Sequence, residues 1–551
     1  MTAPMMLREV PLAHRLPYWW IGDAAYVMHD GTLAFGWRVR GLDVSTMLDE
    51  AVNGIARGLR QALNQLPIGT TVQLLRHVST VPSSTWDAYA SEANTSNPLL
   101  LELRARTARH LKRQAFRTTT TYLLLSRPKA LGELGARGAT GFSRLTNLVF
   151  GLTDPATLTR AHHNSAVNRL AQDSTAFIAA LAATGLSLER LDDDALAALA
   201  FEFLNPSRAR AGEVRRIVDD APPPTLPEDQ HHLYRALSLR EQLVTSGLSW
   251  SADTLYLDDP LRPHRVLGMK LLPPHTKTSL MRQANQIPFP HWLSVAVAVP
   301  DTEARYANIE RRRNRARVAA SGFTRDVRAD TQAAELEAAM QAMVSRDQRV
   351  FSTSVHVLIS ADDLLELDKR TNAVIDVFRA ERIPVATEQQ AQLFAWQGML
   401  PGNAHQAPHQ RTCLTDNAAD LLPVYDAWPG DERPLFVVSH RTGEPFAFDV
   451  TDKKRINWNS LVFGGSGGGK SFLVLSLVNS SMLAQGSDVI VIDVGGAEAG
   501  SYYRLCQLLG GQFVDLSLDG RNAVNPFPDR STLFLDLDGR PSAEPNPLRL
   551  Q

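Results

Sequence analysis

The chain has 551 residues, 44% of them hydrophobic and 21% charged, with a formal net charge of −1. That length allows several domains with full hydrophobic cores, and the neutral balance excludes a global pull toward nucleic acid or an anionic membrane. Only Cys413 and Cys506 are present, which excludes a disulfide framework, and no apolar run reaches the ~20 residues of a membrane helix.

In chain order, the N-terminus MTAPMMLREVPLAHRLPYWW lacks the basic-then-apolar layout of a signal peptide. Ala25 to Met28 and Thr32 to Val39 read as the arms of a hairpin, with Asp30-Gly31 in the turn. An amphipathic helix is expected around Val44 to Leu66, then strands near Thr71 to Leu75 and Thr119 to Leu125. The arginine-rich stretch Arg104 to Arg117 reads as a solvated or partner-facing helix face rather than a phosphate site. Phe142 to Val218 reads as mainly helical, and the proline run from Ala221 to Pro227 as a linker or long surface loop.

Beyond it, Trp292 to Val299 and Val350 to Ile359 read as strands. A long charged helix is expected over Thr302 to Val344, its arginines at 305–328 facing solvent or a partner rather than nucleic acid. A further helix is expected over Asp362 to Arg379, with Leu367, Val374 and Phe378 on one stripe. His405, His409 and Cys413 have a spacing that invites a zinc reading, but Pro408 and the lack of a fourth ligand make an exposed loop the expectation.

From Pro434 the pattern changes. Gly464-Gly465-Ser466-Gly467-Gly468-Gly469-Lys470-Ser471 fits G-x-x-x-x-G-K-[ST] at every fixed position. It follows Asn459 to Phe463, which reads as a short buried strand, and precedes a helix expected to end near Gly486. Glycines let the backbone approach phosphates, Lys470 would reach the β and γ phosphates, and Ser471 would supply a hydroxyl to Mg²⁺. Asp488 to Val494 (DVIVIDV) reads as a buried parallel strand, Ser501 to Leu509 as a helix and Gln512 to Leu516 as a third strand, before Asn525-Pro526-Phe527 enters an irregular tail.

The series FGGSGGGKSF, VIVIDVGG, LLGGQFVDLS and NPF resembles the TraC/VirB-type conjugative-transfer ATPases of type IV secretion systems. TGEPFAFDV (Thr442 to Val450) matches that family's lead-in to the phosphate loop, and DGTLAFGWRVRG resembles its opening hairpin. The resemblance implies an α+β N-terminal lobe followed by an α/β RecA-like P-loop NTPase domain, with bounds expected at 1–220, 221–433 and 434–551. It further implies a cytoplasmic ATPase using ATP and Mg²⁺, peripheral at the inner membrane. Such a motor docks on inner-membrane channel subunits and works as a homo-oligomer, usually a hexamer, in pilus assembly or substrate transfer. Gly464 to Ser471 match the family's phosphate-binding motif, and Asp493 matches the acidic residue ending its second strand.

The acidic Walker B strand and catalytic Glu are not recognisable after Lys470, so the motor domain is expected to be incomplete within this chain. In the RecA-like strand order Asp493 would stand too far from Mg²⁺, and Leu533 to Gly539, with Asp536, suits an exposed hairpin better than a Walker B strand. Two alternatives stay open. One is a non-catalytic docking or assembly protein; the other is a DNA translocase or coupling motor of the FtsK/HerA kind. Direct DNA contact is left open as well.

Overall fold

The structure is a computed structural model. It describes residues 10–128, 160–213, 239–301, 348–465, 467–493 and 500–515, apart from the single positions 245, 259, 274, 429, 432 and 501, with isolated positions elsewhere. The expected linker at 221–227, most of the charged helix at 302–344, Ser466, Asn525-Pro526-Phe527 and Asp536 lie outside the described residues. Two compact units emerge. One comprises Met1–Thr85, Leu111–Gly430 and Val437–Phe446; the other comprises Trp86–His110, Asp431–Phe436 and Ala447–Gln551.

The first unit is organised by one antiparallel sheet. Its strands, in chain order, are β1 (Val10–Pro11), β2 (Tyr18–Gly22), β3 (Ala25–Met28), β4 (Leu33–Arg40), β5 (Thr71–Thr80), β6 (Arg117–Arg127), β7 (Ser187–Arg190), β8 (Gly247–Trp250), β9 (Leu255–Leu257), β10 (Arg262–Met269), β11 (His291–Ala298), β12 (Val350–Ser360), β13 (Val385–Thr387) and β14 (Arg411–Leu414). The ladder order is β1-β8-β9-β10-β12-β11-β5-β6-β4-β3-β2, with β13 on β10, β14 on β12 and β7 on β4. Residues on both sides of position 220 thus contribute neighbouring strands to the same sheet, β11 lying directly against β5. The expected hairpin forms as β3 and β4, paired from Ala25↔Phe35 to Val27↔Leu33.

Side-chain alternation explains why both faces are covered. Phe35, Trp37, Val72, Leu74, Leu123 and Leu125 pack on one face against the helices Asp49–Asn64 and Arg160–Ala183. Ala34, Leu75, Tyr122 and Leu124 point the other way, toward the helices Asp193–Leu204 and Gln392–Met399. Farther along, Leu267, Val295 and Val357 join Leu367, Val374 and Phe378 of the helix Leu364–Ala380, the stripe expected from sequence. Asp363 caps that helix, its carboxylate accepting from the Glu366 N–H at 2.8 Å.

Burying strands on both faces also buries histidines. His291 on β11 donates from Nδ1 to the Phe289 carbonyl at 2.8 Å, and burial pushes its pKa down to about 4; burial pushes that of His356 on β12 down to about 3. Both rings are neutral when folded and titrate near 6.5 when unfolded. Their contribution to stability is therefore whole above pH ~6.5 and lost as the pH falls toward about 4 and below. Thermal melts over that range should show the acid-side loss, and His291→Phe should flatten it; an unchanged pH profile would refute the assignment of His291 as a neutral ring.

The second unit holds the phosphate loop. Its helix Lys470–Gln485 ends at Gly486 in a left-handed conformation, as the sequence suggests. Asn94, between the helices Ser83–Ser91 and Pro98–Arg113, donates its backbone N–H to the Leu483 carbonyl at 3.1 Å. The strands expected at Asn459 to Phe463, Asp488 to Val494 and Gln512 to Leu516 differ from expectation. Their described residues carry no ladder, and Phe463, Ile490 and Ile492 are 85–92% exposed. An apolar run becomes a strand only where a neighbouring segment satisfies its N–H and C=O groups.

Candidate functional site

The phosphate loop is built by its glycines. Gly467 and Gly469 have φ of 76° and 84°, a left-handed region where a side chain would be strained. Gly468 donates its N–H to Gly465 O at 3.1 Å, closing a tight turn, and Leu473 donates to Gly469 O at 2.9 Å as the helix begins. Lys470 opens that helix and curls back over the loop. Its Nζ donates to the carbonyls of Gly464 at 2.7 Å and Gly465 at 2.8 Å. Ser471 is exposed one residue further on. A helix N-terminus, whose first N–H groups have no acceptor within the helix, and one ammonium thus converge on the same spot, the arrangement that suits an anionic polyphosphate.

Asp493 is exposed and lies beside Tyr502, whose hydroxyl pKa is raised by burial and then by the Asp493 carboxylate. The remaining sequence candidates separate. His405 Nε2 meets Asp30 Oδ2 at 2.9 Å, and His409 Nε2 meets Glu388 Oε2 at 3.1 Å. Burial works against the Asp30 carboxylate, but hydrogen bonds from His405 and Thr32 hold its pKa well below the usual range. Cys413 sits on β14, where burial pushes its pKa up to about 12, with Thr353 Oγ1 3.6 Å away. Three partners hold three residues, and among the described residues no His, Cys, Asp or Glu group could hold a metal ion. The exposed-loop expectation fails for Cys413, because strand pairing with β12 buries it.

The basic stretch also divides. Arg106 and Arg109 are solvent-facing and pair with Glu102, at 2.8 and 3.0 Å. Arg104 is instead buried, its guanidinium 3.3 Å from the Tyr89 ring centroid and its Nε donating to Tyr89 O at 2.8 Å. Arg117 is buried on β6 and donates to the Ile287 and Thr442 carbonyls.

Comparison with known proteins gives the context of this loop. A family model described as TraC protein matches residues 12–404, well over half of the chain. The chain belongs to the TraC protein family. A second model, the TraG P-loop domain, matches residues 436–544 and so contains the whole phosphate loop. The conjugal transfer protein TrbE of Rhizobium radiobacter is 24% identical over 266 residues, covering 43% of this chain and 32% of TrbE. The chain therefore spans about a third of the length of that curated relative. In this TraC-family chain strands β2 to β13 of the first unit fall within the TraC match, and the loop of the second within the TraG P-loop match. No helix among the described residues is long and apolar enough to cross a membrane.

Proposed function

We propose that the chain is an ATP-binding motor subunit of a conjugative type IV secretion system, powering pilus assembly or the transfer of DNA or protein. The observation that carries this reading is Lys470, folded over the carbonyls of Gly464 and Gly465 at a helix N-terminus. The match to the TraG P-loop domain and the likeness to TrbE support the choice of machine. On this reading Gly464 to Ser471 hold ATP, with Lys470 on its phosphates and the Ser471 hydroxyl on Mg²⁺. ATP would supply the free energy, and the chain's own contribution is a preformed cradle of glycine backbone and one fixed cation. The protein works as a hexamer with a RecA-like motor domain, docked from the cytoplasm on inner-membrane channel subunits.

The reading is tested in a conjugation assay. A donor strain lacking this gene is complemented with the native sequence or with Lys470→Ala, and plasmid transfer is counted. Transfer restored by the native sequence and lost with the variant is the expected result. Equal transfer by both would refute a nucleotide-driven role.

A further inference from the structure

A cleft opens in the sheet of the first unit where β4 and β6 part company. Their last paired residues are Val39 and Thr121, yet β6 runs on toward Arg117 with β5 as its strand neighbour, while Thr442 to Glu444 touch it at Arg117 and at the Thr119 hydroxyl. β4 turns away at Gly41, where an added Cβ would clash with the Asp426 carboxylate, and Leu42 bridges Tyr425 in parallel instead. The gap between has a volume of about 350 Å³, at the lower end for a ligand site. Arg38, Arg40, Thr118 to Thr120, Asp426 to Trp428 and Glu444 are among the residues that line it.

Two features of this cleft identify what fits it. The first is an open strand edge. Arg117 donates its N–H to Gly443 O at 3.0 Å, away from β5. Strand alternation then turns the N–H and C=O of Thr119 to the same side, where they make no backbone hydrogen bond among the described residues. The second is unbalanced charge. The Asp426 carboxylate is taken by Arg76, and Glu444 accepts from the hydroxyls of Thr119 and Thr442. Arg38 lies against the Tyr122 hydroxyl, whereas Arg40 is exposed and has no ion-pair partner among the described residues.

We propose that this cleft binds an extended acidic segment of a partner protein, which adds to the edge of β6 at Thr119 and sets a carboxylate against Arg40. Edge addition supplies main-chain hydrogen bonds, and the guanidinium supplies selection for negative side chains. The free ligand is a strand rather than a small anion, because the open C=O of Thr119 needs a donor that a lone carboxylate does not have. The proposal is independent of the nucleotide reading.

The test uses the purified chain and a fluorescein-labelled peptide of alternating threonine and aspartate, followed by fluorescence anisotropy. Saturable binding is expected, weakened roughly tenfold by Arg40→Glu and abolished when lysine replaces aspartate in the peptide. Arg40 is exposed, so that variant should fold. Thr119→Pro removes the outward N–H while leaving the ladder to β5 in place, and it should weaken binding as well. Lys470→Ala should bind the peptide like the native chain, which separates this result from the fate of the nucleotide reading. No binding, equal binding of the lysine peptide, unchanged affinity in Arg40→Glu, or displacement by free glutamate as effective as by unlabelled peptide would each overturn the proposal.

Discussion

Replacing Lys470 with alanine is expected to weaken binding of Mg²⁺-ATP by roughly 100-fold, or about 2.7 kcal/mol. The size follows from what the ammonium contributes: one or two charge-assisted hydrogen bonds to phosphate, each worth about 1.5–3 kcal/mol. Much of the ordering cost is already met without ligand, because the side chain is held at the rim of the loop by the Gly464 and Gly465 carbonyls. The variant also loses that tether, which adds to the effect in the same direction. Titration of a fluorescent ATP analogue measures it directly. Lys470 is not part of a buried core, so the fold should survive, and an unchanged melting curve beside lost binding is the expected pair of results. Affinity within threefold of the native chain would mean that this loop is not the nucleotide site, whatever the conjugation assay gives.

Local patterns in the sequence were enough for some elements and not for others. The phosphate loop was legible because glycine and lysine at fixed spacing specify a backbone path and a charge together, without help from distant residues. The hairpin at Asp30-Gly31 and the helix Leu364–Ala380 were legible for the same reason: turn chemistry and a 3.6-residue stripe are local. Strand pairing is not local. That β11 lies between β12 and β5, some 220 residues away in sequence for Gln73 and Ser294, follows from topology and cannot be read from either segment alone. The runs at Asn459 to Phe463 and Asp488 to Asp493 have strand-like composition, yet composition does not supply the neighbour that makes a ladder. Charge assignments fail in a similar way. Arg104 and Arg106 sit two residues apart, and only the fold decides that one stacks on Tyr89 while the other meets solvent. Arg40 carried no sequence signal at all, since its interest arises from where β4 leaves β6.

Arg76 is the residue whose loss should cost the first unit most. It lies on β5 with only 1% of its surface exposed, and its guanidinium serves groups from distant parts of the chain. It donates to the Pro423 carbonyl at 2.7 Å, to the Tyr425 carbonyl at 3.4 Å and to the Thr121 hydroxyl at 3.3 Å, and it also pairs with Asn285 and the Asp426 carboxylate. Burial pushes the Asp426 pKa up, and the Arg76 charge works against that shift. Arg76→Leu leaves the carboxylate buried without its cation and strands carbonyls without a donor, a loss expected to reach roughly 3–5 kcal/mol. Buried tryptophans of this unit, Trp20, Trp37, Trp292 and Trp396, give a fluorescence signal for urea unfolding, and the midpoint should fall accordingly. Adding Asp426→Asn to Arg76→Leu removes the orphaned charge, so the double variant should regain part of the loss, a coupling that independent sites would not show. A fall below about 1 kcal/mol would place the pair among ion pairs that contribute little. With the expected fall, Arg76 joins the Leu42 backbone in holding the segment 423–426, whose Asp426 walls the β4–β6 cleft.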